Sequence, residues 1–284
     1  MNDLVSRINS FIFKAEKVYI SPGESPPKGV NVQRGKRGGR YYISGEEIKV
    51  RPKEELRIPK YYNRLELKDK EIQKLSKLPI LKFDNLGGGY NVTKLARFNG
   101  EIGVFKPVYG EHKMGSLKKG TMYLREVCAY HINKVLKFDY VPPTAVRVEK
   151  ESVGSIQKFI KEADFGKVNQ CDISDIEKMA FFDLVTGNLD RITANWLLKN
   201  GRPIAIDNGR CFPGSIKDKV RSKFVSFLWE KEIPDELISL IQRKRSKIYR
   251  LVKSYIGKDE AVLTLNRIDY LIKNKRYNYF GEER

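Results

Sequence analysis

Apolar and polar residues follow strand-like and helix-like repeats along most of the chain. Two apolar runs, 91–98 and 101–107, flank the pair Asn99-Gly100, and an Asn-Gly pair between such runs predicts an antiparallel hairpin. Strand-like runs also cover about 144–149 and 153–160. Together these segments predict a small sheet in the middle of the chain.

Helical spacing of apolar residues predicts most of the structure that follows. The predicted helices cover 121–137, 174–185, 234–256 and 258–274. Thr121 stands where a residue would cap the first helix, and Ser174-Asp-Ile-Glu177 has the sequence of a capping box that opens the second.

A second Asn-Gly pair, at residues 200–201, predicts another hairpin between 195–199 and 202–206. Because its two arms are equal in length, they bring Asn195 and Asp207 together at the open end. Asp190 lies in the loop just before the first arm. Carboxylate and amide oxygens suit Mg²⁺, which usually takes one or two protein carboxylates and completes its shell with substrate phosphates. On their own, Asp190 and Asp207 are also typical turn residues.

The first hairpin carries a second set of candidate residues. Gly87, Gly88 and Gly89 precede it, and glycines allow a backbone to approach a phosphate closely, although a flexible connector has the same composition. Lys106 interrupts an apolar run, where a lysine is costly unless an anion pairs with it. Glu126, in the next predicted helix, is a candidate partner. The alternative is that Lys106 is a surface lysine at a strand end.

The N-terminal part of the chain is less regular. Residues 1–18 are predicted to form one short amphipathic helix, and 19–42, rich in Pro and Gly, to be extended or looped. The latter segment is either a linker or a phosphate-contacting segment through its basic residues, which are Arg34, Lys36, Arg37 and Arg40. Residues 43–82 are highly charged and predicted to form short helices or connectors.

Composition narrows the classes of protein. With 40% hydrophobic residues in a chain of 284, the protein can form a real core. Its three cysteines form no CxxC pair and its two histidines are too few for a histidine metal site. No apolar run approaches the roughly 18 residues of a membrane span, and the first residues lack a signal-peptide layout. We therefore expect a cytoplasmic protein.

The net charge of the chain indicates which kinds of ligand it could bind. The chain has 55 Lys and Arg against 35 Asp and Glu, a net charge of +20. Such an excess favours polyanions, and nucleic acid, acidic lipid and phosphorylated ligands all remain open.

The order of the candidate residues along the chain is that of phosphoryl transfer: a glycine-rich loop, a strand lysine, a helix glutamate, an aspartate, and then asparagine and aspartate for metal. The segment Gly187–Asn195 with Ile206–Gly209, and the stretch beginning at Val104 (VFKPVYGE), resemble the protein-kinase-like superfamily. The resemblance is to its atypical branch, which includes phosphatidylinositol 3-/4-kinases and HipA-type kinases, and it covers roughly 85–215.

This resemblance implies an α+β, two-lobed protein-kinase-like fold with a small sheet-containing N-lobe and a mostly helical C-lobe. The implied divisions are an N-terminal extension and linker at 1–82, the N-lobe at 83–160, and the C-lobe with its helical tail at 161–284. The chain departs from the branch in four features: the Gly87–Gly89 loop fits no strict glycine template, residues 210–232 hold no obvious long activation segment, and the other two concern single positions. The metal motif has no aromatic residue after Asp207, and Ile192 stands where phosphatidylinositol kinases often have histidine.

The resemblance also implies roles. Lys106 would hold the α- and β-phosphates of ATP and pair with Glu126, and Asp190 would orient or deprotonate the acceptor hydroxyl. Asn195 and Asp207 would bind Mg²⁺. The remaining nucleotide-binding residues would be Gly87, Gly88, Gly89, Gln157, Phe159 and Ile160.

The implied activity is ATP- and Mg²⁺-dependent transfer of the γ-phosphoryl group to a hydroxyl acceptor. A protein Ser or Thr is the expected acceptor, with autophosphorylation as one form of the reaction. One alternative is a kinase for a small molecule or a phosphoinositide. Another is a nucleic-acid-binding protein with an inactive kinase-like core, and a third is a pseudokinase that binds nucleotide without turnover.

Overall fold

A computed structural model describes residues 17–19, 32–34, 40–43, 69–86, 91–112, 114–149, 152–215 and 217–279. The strands are β1 (Lys17–Tyr19), β2 (Gln33–Arg34), β3 (Arg40–Ile43), β4 (Lys82–Leu86), β5 (Thr93–Arg97), β6 (Ile102–Pro107), β7 (Thr144–Glu149), β8 (Ser152–Lys158), β9 (Trp196–Lys199) and β10 (Arg202–Ala205). The helices are α1 (Lys70–Lys77), α2 (Met122–Val135), α3 (Ile173–Thr186), α4 (Lys223–Phe227), α5 (Asp235–Tyr255) and α6 (Lys258–Asn274).

A five-stranded antiparallel sheet forms the first half of the fold, with strand order β4-β5-β6-β8-β7. The hairpin predicted around Asn99-Gly100 is confirmed as β5 and β6, in which Lys94 pairs with Phe105. The sequence analysis missed β4, since its segment KFDNL is short and half polar. That pattern is typical of an edge strand, which packs one face and leaves the other to solvent.

Helix α2 is buried on almost every side. Of its 14 residues, all except Lys134 are buried, because the helix packs against β7 and β8 and also contacts α5. A helix buried all round must satisfy its polar side chains inside the protein. Arg125 and Glu126, both on α2, are therefore committed to internal partners.

The second half of the fold is mostly helical. The hairpin β9–β10 forms in the predicted register, with Ala205 opposite Trp196, and the two predicted C-terminal helices are confirmed as α5 and α6, which pack on each other. The α+β architecture predicted from the sequence is thus confirmed. None of the helices in the described part of the chain combines the length and apolar character needed to cross a bilayer.

The side-chain capping bonds predicted for two helices do not form, although Thr121 does occupy the N-cap position of α2. Helix α3 begins at Ile173 with Asp172 at its N-cap position, and no side-chain capping bond is present there, so the capping box expected at Ser174 does not form. At α2, the Thr121 hydroxyl donates to the carbonyl of Lys118 at 2.6 Å instead of capping the helix. Short polar side chains often choose such local alternatives.

The N-terminal predictions are corrected in part. Lys17 and Val18 lie in a strand, so the helix predicted over 1–18 is wrong at its end, and residues 1–16 lie outside the described residues. The strands β1, β3 and β2 form a three-stranded antiparallel sheet, which agrees with an extended segment over 19–42. Gly87, Gly88 and Gly89 also lie outside the described residues.

The core of the sheet gives a stability prediction. Ile156 is fully buried on β8, next to β6. Ile156→Ala should lower the free energy of unfolding by about 2–5 kcal/mol, because it removes buried apolar surface and leaves a cavity. Denaturant unfolding measures the change. Val148→Ala, on the same sheet but 44% exposed, is the matched control and should cost less than about 1 kcal/mol. Equal losses in both variants would contradict this packing.

Candidate active site

Lys106 lies on the face of β6 that is only partly buried. Burial alternates along β6, with Gly103, Phe105 and Pro107 buried and the residues between them partly exposed, as expected when successive side chains point to opposite faces. Lys106 pairs with Ser155, and Val104 pairs with Gln157 on β8. Directly opposite residues share a face, so Gln157 and Lys106 lie on the same side of the sheet.

Lys106 joins two carboxylates from distant parts of the chain. Its Nζ lies 2.6 Å from Oε1 of Glu126 on α2 and 2.9 Å from Oδ1 of Asp207 after β10. The Lys106 side chain is 24% exposed and that of Glu126 is 4% exposed, so the first pair is largely shielded from water. The Asp207 side chain is 49% exposed, so solvent reaches its carboxylate.

The charges shift the pKa values of these groups in opposite directions. Burial by itself lowers the pKa of Lys106, but the carboxylates of Asp207 and Glu126 outweigh it, and the pKa lies above its ordinary value. The ammonium of Lys106 in turn lowers the pKa of Asp207, with smaller contributions from Arg191 and Arg210. Both groups are therefore charged at neutral pH.

Glu126 also fixes the backbone at the candidate metal loop. Its second oxygen, Oε2, accepts a hydrogen bond from the backbone N–H of Asn208 at 2.9 Å. One buried carboxylate thus holds both the strand lysine and the loop that follows Asp207. The sheet, α2 and the hairpin β9–β10 meet at this point.

Asp207 itself adopts a left-handed backbone conformation, with φ of 51°, which aspartate tolerates better than most residues. The preceding residue, Ile206, donates its N–H to the carbonyl of Asn195 at 3.3 Å. Asn195 and Asp207 therefore stand next to each other at the open end of β9–β10, as the equal arms of the hairpin predict.

Asp190 is placed by the end of α3. Gly187 ends that helix in a left-handed conformation, with φ of 63°, and the Asn188 side chain accepts a hydrogen bond from the N–H of Asp190 at 2.8 Å. Nδ2 of Asn195 donates to the Asp190 carboxylate at 3.1 Å and to its carbonyl at 2.6 Å. Both contacts use Nδ2, so Oδ1 is the atom of Asn195 suited to bind a metal.

Arg210 is a site residue that the sequence analysis missed. Its Nη1 lies 2.9 Å from Oδ2 of Asp190, and its side chain is 26% exposed. Because it also contributes to the lowered pKa of Asp207, Arg210 contributes positive charge between the two carboxylates. In the sequence, the only indication of this role is that Arg210 lies three residues after Asp207.

Arg191 is fully buried and has a structural role. Its guanidinium pairs with Asp183 on α3 at 3.1 Å and donates to the carbonyls of Asn195 at 2.6 Å and Ile206 at 2.7 Å. A further bond reaches Oδ1 of Asn208 at 2.5 Å. Burial raises the pKa of Asp183, and Arg191 partly offsets this. Arg191 thereby fastens the loop that carries Asp190 to the loop that carries Asp207.

The N-terminus of α2 is capped by Glu111, which the sequence analysis also missed. Its carboxylate accepts hydrogen bonds from the backbone N–H groups of Met122 at 3.0 Å and Tyr123 at 2.8 Å. Arg125, one residue before Glu126, donates to the carbonyls of Cys211 at 2.8 Å and Phe212. These contacts hold α2 in the position from which Glu126 reaches Lys106.

The residues predicted to contact adenine lie along β8 and its continuation. Gln157 donates from Nε2 to the hydroxyl of Thr144 at 2.9 Å, and Phe159 donates its N–H to the carbonyl of Ile102 at 3.0 Å. Both side chains, like that of Ile160, are half-buried. Beyond them, Asp164 pairs with Leu198 of β9 through two backbone hydrogen bonds, which connects the sheet to the helical half.

One family model matches part of the chain. The family model of phosphatidylinositol 3- and 4-kinase matches residues 121–250, which is just under half of the chain. The matched segment includes Glu126, Asp190 and Asp207, whereas Lys106 precedes it. A search of curated proteins by sequence finds no match.

Two solved structures share the fold. One is the Golgi casein kinase with Mn and ADP bound, with a TM-score of 0.51 and 14% identity over 72% of this chain and 74% of that chain. The other is hydra Fam20 with sugar, with a TM-score of 0.53 and 12% identity over 72% of this chain and 87% of that chain. At these identities the likeness establishes the fold alone.

The cap of α2 gives a pH-dependent stability prediction. Burial raises the pKa of Glu111 to about 7 from 4.5, although the N–H groups of Met122 and Tyr123 lower it. Because the pKa of Glu111 is raised in the folded state, its protonated form stabilises the fold. This contribution to the free energy of unfolding is fully present below pH ~4.5 and is lost as pH rises through about 7. At about 1.4 kcal/mol per pH unit, the difference between 4.5 and about 7 limits the loss to roughly 3.5 kcal/mol.

Glu111→Gln keeps an acceptor oxygen but cannot titrate. The difference in unfolding free energy between wild type and Glu111→Gln should therefore fall between pH 4.5 and 7, measured by urea unfolding across that range. Glu162→Gln, at a side chain 88% exposed, is the matched control and should leave the profile unchanged. A pH-independent difference for Glu111→Gln would contradict the prediction.

Proposed function

We propose that this member of the protein-kinase-like superfamily transfers the γ-phosphoryl group of ATP to a hydroxyl acceptor, with Mg²⁺ as the metal. The observation that carries the proposal is the pair of contacts at Lys106, whose Nζ lies within 3 Å of both Glu126 and Asp207. A strand lysine, a buried helix glutamate and a half-exposed aspartate form a phosphate- and metal-binding set.

The residues fit a nucleotide in the following way. Lys106, anchored by buried Glu126, would hold the α- and β-phosphates, while the exposed carboxylate of Asp207 would exchange its contact with Lys106 for a metal ion. Asn195 would supply Oδ1 as a second metal ligand. Mg²⁺ held by Asp207 and Asn195 would supply positive charge that offsets the negative charge of the transferred group. Gln157, Phe159 and Ile160 would line the adenine pocket.

Asp190 would act on the acceptor. In the transfer, a bond forms between the acceptor oxygen and the γ-phosphorus, the bond from the γ-phosphorus to the β,γ-bridging oxygen breaks, and the hydroxyl proton passes to the Asp190 carboxylate. Asn195 and Arg210 hold this carboxylate in place. Positioning of the reactants and electrostatic stabilisation supply most of the rate enhancement.

The Golgi casein kinase structure contains Mn and ADP, which supports nucleotide and divalent metal as ligands of this fold. For the acceptor we propose a protein Ser or Thr. A lipid or other small-molecule hydroxyl is the second candidate, because the matching family model is that of phosphatidylinositol 3- and 4-kinase. Nucleic-acid binding through the basic surface remains a separate proposal that the charge alone supports.

The proposed nucleotide site predicts stabilisation by ATP. ATP with Mg²⁺ at about 100 times its Kd should stabilise the native state by about 2.7 kcal/mol, which corresponds to a rise in melting temperature of roughly 5 °C or more. Differential scanning fluorimetry measures the rise with and without Mg²⁺. Asp207→Asn should lose the Mg²⁺-dependent part, because it removes the charged ligand. The absence of any shift at millimolar ATP in wild type would refute the nucleotide site.

The second prediction separates chemistry from binding. Asp190→Asn should lower the transfer rate by about 10²–10⁴-fold while keeping the ATP-dependent melting shift. The assay follows radiolabelled phosphate from ATP into a mixture of Ser/Thr peptides and into phosphatidylinositol vesicles. Asp235→Asn, at a side chain 84% exposed, is the matched control and should keep full activity. Full activity in Asp190→Asn would remove Asp190 from the mechanism.

A further inference from the structure

We propose that the acceptor is an acidic polypeptide, bound by a row of basic side chains beside Asp190. The row, called here the 217–223 basic row, consists of Lys217, Lys219, Arg221 and Lys223. The inference names the substrate class of the site and therefore rests on the proposed phosphotransferase function.

Backbone hydrogen bonds place the row against the loop that carries Asp190. The N–H of Arg221 donates to the carbonyl of Asn188 at 3.0 Å, and the N–H of Arg191 donates to the carbonyl of Arg221 at 2.8 Å. The N–H of Lys223 then donates to the carbonyl of Arg191 at 3.1 Å. This parallel pairing lies on both sides of Asp190 in the chain, so Arg221 and Lys223 border the position of an acceptor hydroxyl.

Burial along the segment explains why the basic side chains lie on one edge. Val220, Ser222 and Phe224 are buried, whereas the four basic residues between and before them are exposed. The hydroxyl of Ser222 donates to the second oxygen of Asp183 at 2.7 Å, which anchors the segment to α3. With the inward side chains fixed, the outward ones form a continuous positive edge.

Three of the four positive charges of the row are available to a partner. Lys217, Arg221 and Lys223 form no ion pair with the described residues. The one acidic residue within the segment, Asp218, accepts a hydrogen bond from the hydroxyl of Ser116. Exposed like charges side by side repel each other unless an anion neutralises them.

The spacing of the row favours an extended peptide. In the middle of the segment, exposed Lys219 and Arg221 alternate with buried Val220 and Ser222, and same-side residues of an extended chain repeat about every 6.6 Å. Acidic side chains of a strand-like acceptor would therefore meet successive basic side chains there. The exposed residues of the neighbouring loop carry no charge; they are Ile192, Thr193 and Ala194. Any preference for acidic acceptors would therefore come from the basic side chains of the row. The segment 217–223 has no aromatic side chain on which a nucleotide base could stack.

This assignment also bears on autophosphorylation. The chain carries a net charge of +20, and a positive row selects against basic sequence around the acceptor. The preferred substrate is therefore a different, acidic protein, and transfer to the chain itself would be slow by comparison.

The test compares two peptides with one central Ser, flanked by three Glu on each side or by three Gln on each side. We expect the Glu peptide to have a kcat/KM at least tenfold higher, mostly through KM, and to bind about tenfold more tightly by fluorescence anisotropy at low salt. The triple variant Lys217→Gln, Arg221→Gln, Lys223→Gln should remove this preference while keeping the ATP-dependent melting shift.

The matched control is Arg243→Gln, Lys244→Gln, Lys247→Gln on α5, which removes the same charge from a different basic surface and should keep the preference. Binding of the Glu peptide in the Asp190→Asn variant is measured without turnover, so an inactive enzyme that still binds through the row separates the two proposals. Equal kcat/KM for both peptides in an active enzyme would overturn the inference. So would row-dependent binding that is tighter for oligo(dT) or for phosphoinositide vesicles than for the Glu peptide.

Discussion

The interior carboxylate of Glu126 is the constraint on which the site depends. Its side chain is 4% exposed, so water cannot satisfy the carboxylate, and burying an unpaired carboxylate costs several kcal/mol. One of its oxygens binds the Lys106 ammonium and the other accepts the N–H of Asn208. The central sheet, α2 and the hairpin β9–β10 must therefore keep one relative arrangement for Glu126 to remain paired.

Two buried arginines extend this constraint on either side. Arg125 binds the carbonyls that follow the candidate metal loop, and Arg191 binds Asp183, Asn208 and the carbonyls of both hairpin ends. Removing one partner of a fully buried ion pair typically costs 3–5 kcal/mol. Such pairs resist small displacements, so the loops around the cleft are held by charge as well as by packing.

The charged groups that would contact substrates are more exposed than the charged groups that hold them in position. The Asp207 side chain is 49% exposed and that of Asp190 is 18% exposed, whereas Asp183 and Arg191 are fully buried. A side chain that must exchange its partners for a metal or accept a proton needs to be accessible to the substrates. A side chain that holds such a group in position is more effective when it is rigid and shielded from water. The site separates these two tasks between neighbouring residues.

The sequence by itself determined the local elements and the order of the candidate site residues. Two Asn-Gly turns defined both hairpins, and equal arms brought Asn195 and Asp207 to one end, because these signals act between neighbouring residues. It did not reveal the cap of α2 by Glu111 or the joining of Asp190 to Arg210. Those contacts form only when segments far apart in the chain pack together. They depend on electrostatics and desolvation in the tertiary structure, and neither of these produces a periodic pattern in the sequence.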